Sequence, residues 1–253
     1  MNTSDENTMI IHDGQVTEKR LSDAFNGVSL DFNDGILQIS VPENKVITKP
    51  FMLIFTGAGD AEIKVDLTIS AHSVLNLSQM VVGDGNLKLE TVVKLVGNGA
   101  SSEVKTVALA GGSQKCKLAT KIENLASHTT ANIVNHGVVK DDAHLAFDGT
   151  GKIHKGMKGS DAQQETRLLN LSKTAEATAN PFLLIDEGDI TAGHAASIGR
   201  IDEEQIYYLM SRGMSKPEAE KLIVTGFLTP FVDSIDDEVL RERLLVSIER
   251  KLG

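Results

Sequence analysis

Glu62-Ile63-Lys64-Val65-Asp66-Leu67-Thr68-Ile69-Ser70 alternates polar and apolar residues without a fault. Successive side chains of a strand point to opposite faces, so this pattern gives one buried and one wet face. Asn86–Glu90, Glu103–Val107 and Lys117–Glu123 follow the same rule. Turn clusters separate them at Gly57-Ala58-Gly59-Asp60, Gly83-Asp84-Gly85-Asn86, Gly97-Asn98-Gly99 and Gly111-Gly112-Ser113. The strand signal runs from Val28 to Ile198, with no helix long enough for a βαβ crossover. A β-sandwich, a barrel and a β-helix all fit this pattern. Short turns, few Asn-Gly hairpin signals and small residues spread along the strands favour the β-helix, whose narrow interior needs small side chains. The repeat is too loose for a fixed period. Residues 1–27 are polar and weakly patterned, and are expected to form an N-terminal cap or flexible start.

After Ile198 the spacing changes from two to three or four. Asp202-Glu203-Glu204-Gln205 reads as a capping box, Ile206, Leu209 and Met210 as a buried stripe, and Gly213 as the stop. Ser215-Lys216-Pro217-Glu218 opens a second helix with stripe Ala219, Leu222 and Ile223, expected to stop near Gly226. A third starts near Asp236-Asp237-Glu238 and places Leu240, Leu244, Ile248 and Leu252 on one face. Acids lead it and Arg250-Lys251 close it, as the helix dipole favours. The reading is therefore a mainly β chain: a β-helix core over 28–198 and a small C-terminal α-helical domain over 199–253. Three short helices hold too little core to stand alone, so they should pack on the last coil or offer a face to a partner.

The bulk numbers narrow the function. A hydrophobic content of 41% supports a real core. The formal net charge of −10 argues against a nucleic-acid partner, which needs clustered Lys and Arg. With no Trp and two Tyr, a base- or sugar-stacking surface is not expected. One cysteine, Cys116, allows no intrachain disulfide and suits a reducing cytoplasm. No apolar run approaches the ~20 residues of a membrane span, and Met1–Asn7 lacks the features of a signal peptide.

Phosphate-loop, nucleophile-elbow, His-Glu-x-x-His and Cys-x-x-Cys signatures are all absent from the sequence. His12 and His72 have no companions. His128, His136, His144 and His154 could meet on adjacent coils, though exposed strand or turn histidines are the plainer reading. His194 closely follows Asp186-Glu187-Gly188-Asp189, a mixture that suits a divalent metal, though on the residues alone a satisfied structural histidine is the plainer reading. Cys116 reads as a small buried residue, since nothing near it in sequence lowers a thiol pKa.

Ser127-His128-Thr129-Thr130, Ala146–Ile153, Ser160–Ser172, Asn180–Ile185, Gly193-His194-Ala195-Ala196-Ser197-Ile198-Gly199 and Asp202–Gly213 stand in the order of motifs of one known family. From about Glu123 to Ile235 the chain resembles the SufB/SufD proteins of the SUF iron–sulfur cluster assembly system. The resemblance implies a right-handed parallel β-helix followed by a helical domain. It further implies pairing with a SufB-like chain through the β-helices, and docking of a SufC-like ABC ATPase through the C-terminal helices. The assignment Tyr207, Tyr208, Arg212 and Phe227 to partner binding belongs to that docking. It implies His194 as a cofactor or metal contact at the subunit junction, with an iron–sulfur cluster or iron shared there and none bound by this chain alone. Asp186, Glu187 and Asp189 would help iron enter. SufB-like chains carry a cysteine near Lys173–Ala177 and a Glu in place of Ala195, and many members carry a cysteine in place of Ala192. The chain is thus more SufD-like, and compact, because residues 1–27 cannot contain the family's N-terminal helical domain.

Three functions follow. The first is a non-catalytic, cytoplasmic scaffold subunit of iron–sulfur assembly. The second is a β-helix carbohydrate-active enzyme using pairs such as Asp141-Asp142 or Asp186/Asp189. The third is a structural module that self-associates, also as a homodimer, through its open coil ends.

Overall fold

A computed structural model describes residues 7–232, 235 and 238–252. Its strands are β1 (Asn7–His12), β2 (Gln15–Arg20), β3 (Ser29–Asn33), β4 (Ile36–Val41), β5 (Phe51–Thr56), β6 (Ala61–Ile69), β7 (Leu77–Val81) and β8 (Leu87–Leu95). There follow β9 (Ser101–Ala110), β10 (Lys115–Asn124), β11 (Thr130–Val139), β12 (His144–Ile153), β13 (Ser160–Asn170), β14 (Glu176–Ile185) and β15 (Ile190–Arg200). From β4 on the chain alternates between two sheets. One has the order β15-β13-β11-β9-β7-β5-β1-β2, the other β14-β12-β10-β8-β6-β4-β3. Neighbours are parallel except in the hairpins β1–β2 and β3–β4. This is a parallel β-helix of about six turns.

The alternation of β6 explains the coil. Ile63, Val65, Leu67 and Ile69 are each 1% exposed or less. Each stacks on its counterpart of the next turn: Ile63 on Leu89, Val65 on Thr91, Leu67 on Val93 and Ile69 on Leu95. Side-chain hydrogen bonds between neighbouring turns span 26 or 27 residues early on, 29 in the middle and 31 near the end. The period drifts, so no fixed repeat was readable.

One corner is a column of left-handed residues. Asn44, His72, Gly99, His128 and Gly159 have φ of 57°, 55°, 68°, 57° and 67°. A Cβ on Gly99 would lie 3.0 Å from His72 Nδ1, and one on Gly159 would overlap the ring of His128 at 2.3 Å. Glycine follows each histidine in this column because the imidazole lies over it. His72 and His128 are thus corner residues.

Strand structure begins well before Val28. Within the expected start segment, β1 pairs in parallel with β5 and turns back into β2, forming the edge of the sheet. The polar sequence of β2, Gln-Val-Thr-Glu-Lys-Arg, hid a strand because an edge strand keeps its outer face wet.

The helices are α1 (Glu203–Ser211), α2 (Lys216–Val232) and α3 (Glu238–Leu252). The Asp202 carboxylate accepts the Glu204 N–H at 2.9 Å, and Gly213 at φ 99° follows the end of α1. Only Ile206 of the expected α1 stripe is buried, whereas Met210 is 45% exposed. The second helix does not stop at Gly226; it runs on to Val232. A mid-helix glycine costs about 1 kcal/mol, and burial of Leu228, Phe231 and Val232 outweighs it. Leu222, expected in the stripe, is 50% exposed, while Val224 is buried. The expected helix start at Asp236-Asp237 lies outside the described residues, as does the side chain of Leu240.

The helices do not sit on the last coil. They fold back over the outer face of the eight-stranded sheet, where Val224, Leu228, Phe231, Leu244 and Ile248 pack on Met52, Ile54, Met80, Val82, Val107, Leu109 and Val138. Lys251 fixes the end of α3. Its ammonium donates to Leu109 O at 2.8 Å, to Gln114 Oε1 at 2.8 Å and to Gly83 O. Burial pulls its pKa down against the attraction of Asp84. Lys140 Nζ donates to Lys251 O at 3.0 Å and caps the helix. Among the described residues no helix is long and apolar enough to cross a membrane.

Candidate functional site

The two ends of the β-helix differ. At the first, β2 and β3 close the sheets as antiparallel edges. At the other, among the described residues, β15 pairs only with β13 and β14 only with β12, leaving one edge of each without a strand partner. Bare strand edges attract another strand.

The last coil also changes chemistry. On the outer face of the seven-stranded sheet, Phe182 aligns with Thr150 and then Lys121, and Leu184 with Lys152 and then Glu123. Polar columns therefore end in two large apolar residues, 51% and 49% exposed. On β15, Thr191, Gly193, Ala195, Ser197 and Gly199 share the outer face and carry no charge, whereas Asp161, Glu165 and Arg167 stand on the neighbouring strand.

His194 sits within β15. Its register partner is Gln164, whose buried side chain enters the interior. Alternation thus puts His194 on the inner face, at the mouth of the coil, where it is exposed because no strand among the described residues follows. Asp186, Glu187 and Asp189 do not gather around it. The Glu187 carboxylate accepts backbone N–H groups of Gly156 at 2.8 Å and Gly188 at 3.0 Å. Those bonds hold its pKa below the ordinary value, Gly156 contributing most. Among the described residues no group of three or more His, Cys, Asp or Glu could hold a metal ion. A groove of about 480 Å³ crosses the outer face beside β15 between Glu103, Asp161 and Gly193. Its carboxylates Glu103 and Glu165 are already paired with Lys105 and Arg167.

The other histidines scatter. His144 pairs with Glu176 at 2.8 Å on the opposite sheet, and His154 lies 3.9 Å from Glu123. His136 lies under α2, its ring stacked on Phe227 at 5.2 Å between centroids. Burial, then Arg167, lowers its pKa. Phe227 is thereby turned toward the sheet. Tyr207 and Tyr208 are 76% and 56% exposed on α1, and Arg212 donates to Tyr208 Oη at 3.1 Å. Cys116 is buried on β10, and desolvation raises its thiol pKa. Asp141 is a corner residue at φ 58° whose carboxylate accepts the Gly112 N–H at 2.8 Å.

The sequence reading expected open coil ends but missed Phe182 and Leu184. The apolar pair was visible in Pro181-Phe182-Leu183-Leu184-Ile185, where both strand faces are apolar and not only one.

The fold class is a parallel β-helix with one closed and one open end, flanked by a helical unit. Residues 63–227 match the family described as SUF system FeS cluster assembly, SufBD core domain. The chain is 45% identical over 172 residues to the iron–sulfur cluster assembly protein SufD of Bacillus subtilis, covering 68% of this chain and 39% of that protein. It is 27% identical over 193 residues to SufD of Escherichia coli, covering 76% and 44%. It is 32% identical over 164 residues to an iron–sulfur cluster assembly SufBD family protein of Mycobacterium leprae, covering 63% and 19%. The chain belongs to the SufB/SufD family and is SufD-like. It spans less than half the length of these relatives.

Proposed function

We propose that this chain is a non-catalytic, cytoplasmic scaffold subunit of a SUF assembly complex. It pairs with a SufB-like chain through β14 and β15. The observation that carries this is the last coil: two bare edges, two exposed apolar residues and an uncharged outer face of β15 beside the charged outer face of β13. A strand laid on that edge completes the sheet hydrogen bonds and covers Phe182 and Leu184.

Iron or a nascent cluster is cargo in this reading. A cluster takes about four protein ligands, usually thiolates. At the open end this chain offers the His194 imidazole, and its single thiol is buried on β10. The partner therefore supplies the other ligands, and His194 contributes one ligand or moves a proton at its ring nitrogen. A SufC-like ATPase docks on the helical unit through Tyr207, Tyr208 and Arg212. Phe227 leaves that set because it is engaged with His136.

The test is capture of the tagged full chain from its own lysate, with mass spectrometry. Truncation after Arg200 would uncover Met52, Met80 and Val107, so point variants are used. We expect a SufB-like chain, lost in Ala195→Lys, and an ABC-type ATPase, lost in Tyr207→Ala/Tyr208→Ala. Capture of this chain alone would overturn the reading in favour of self-association.

A further inference from the structure

The interior changes along its axis. The column that holds Met9 and Leu53 in the first turns continues as Gln79, Thr106, Asn135 and Thr166. On the facing sheet Leu37 and Val65 give way to Thr91, Thr120 and Gly149. Each of these polar side chains is 5% exposed or less. In the first turns these two columns hold only apolar side chains, with Asn7 a buried polar residue in a neighbouring column.

Part of this seam satisfies itself. Gln79 Nε2 donates to Thr91 Oγ1 at 2.7 Å, and Thr106 Oγ1 donates to Gln79 Oε1 at 3.0 Å. Asn135 Nδ2 donates to Thr166 Oγ1 at 3.1 Å, and Gln164 Nε2 to Phe182 O at 2.8 Å. Two acceptors do not. Asn135 Oδ1 and Gln164 Oε1 are buried with no hydrogen-bond partner. The Thr106 hydroxyl, next to Asn135 in the column, is engaged with Gln79. Gln164 Oε1 lies over Gly149, 2.8 Å from where a Cβ would stand, so the facing strand offers it no side chain.

A buried carbonyl oxygen left without a donor costs about 1–3 kcal/mol. Such groups in native interiors are normally met by protein or by buried water. Solvent has a short way in, because the next residue in the Gln164 column is the exposed His194 at the uncapped end.

We propose that the last turns of the β-helix hold internal water, bound to Asn135 Oδ1 and Gln164 Oε1 and fed from the open mouth at His194. The inner side of the imidazole then faces a hydrated, proton-exchanging seam in place of a dry core. This site stands whether or not the chain assembles clusters, because it rests on the interior alone.

A crystal structure of the isolated full chain, at a resolution that shows ordered solvent, tests it directly. We expect a water within hydrogen-bond distance of each acceptor. Protein donors on both oxygens, with no solvent density beside them, would overturn the proposal. Exchange of side-chain amide protons gives a second readout. Asn135 and Gln164 should exchange at least about tenfold faster than Gln79, whose amide is bonded at both ends and lies deeper. Equal protection of all three would count against hydration.

Discussion

The first and last turns of this β-helix solve the same problem in opposite ways. A coil must end, and its final strands expose backbone and core. At the first end the chain turns back on itself twice, and β2 presents Glu18, Lys19 and Arg20 along the edge. Phe25 closes over Phe51 with ring centroids 5.2 Å apart. At the last end no strand among the described residues turns back, and the outer faces of the last strands become small on β15 and apolar at Phe182 and Leu184. The difference teaches that an open end is a choice of residues, since the same chain shows how to close one.

The largest effect that could break this comparison is on stability. Phe51→Ala should lower unfolding free energy by about 3–5 kcal/mol, whereas Phe182→Ala should change it by no more than about 0.5 kcal/mol in the isolated chain. Equal losses in urea titrations would mean that Phe182 is already covered. Next comes partner capture. Ala195→Lys should weaken it at least about tenfold, or ~1.4 kcal/mol, while Thr17→Lys on the closed edge should leave it unchanged; titrated binding of the captured partner decides.

A smaller effect concerns the flank joining the two ends. His136 faces Phe227 of α2, Lys105 of β9, and Arg167 and Glu165 of β13. Its folded pKa lies below 6.5, so the unfolded chain takes the proton first. Stability is then greatest above 6.5 and falls as pH drops through that value toward the folded one. Thermal midpoints should show this decline, and His136→Phe should flatten it. The smallest effect is local. Glu187 has a lowered pKa, so its support for the corner before β15 is present above 4.5 and lost as pH falls through its folded value. Faster amide exchange at Gly156 and Gly188 in Glu187→Gln, with no change at Gly14, would confirm it.

The alternation of β6, β8, β9 and β10 was legible because one face is wet. The place of the helices was not read, although its sign was present. Phe51-Met52-Leu53-Ile54-Phe55 and Met80-Val81-Val82 are apolar on both faces, which a strand covered on one side does not need. The corners resisted for another reason. His72 and His128 occupy left-handed positions where glycine or asparagine would have announced a turn. His194 was found as a residue, but its inward side follows only from its register with Gln164.

The anchoring of Lys251 to Gly83 and Leu109 has a mechanical consequence. A pull on the C-terminus loads this clamp and the Arg250–Asp84 ion pair first. The turns between them hang slack in a closed loop. Under tension the early coils would bear the force, and the open end, the part offered to another molecule, would be the last to feel it.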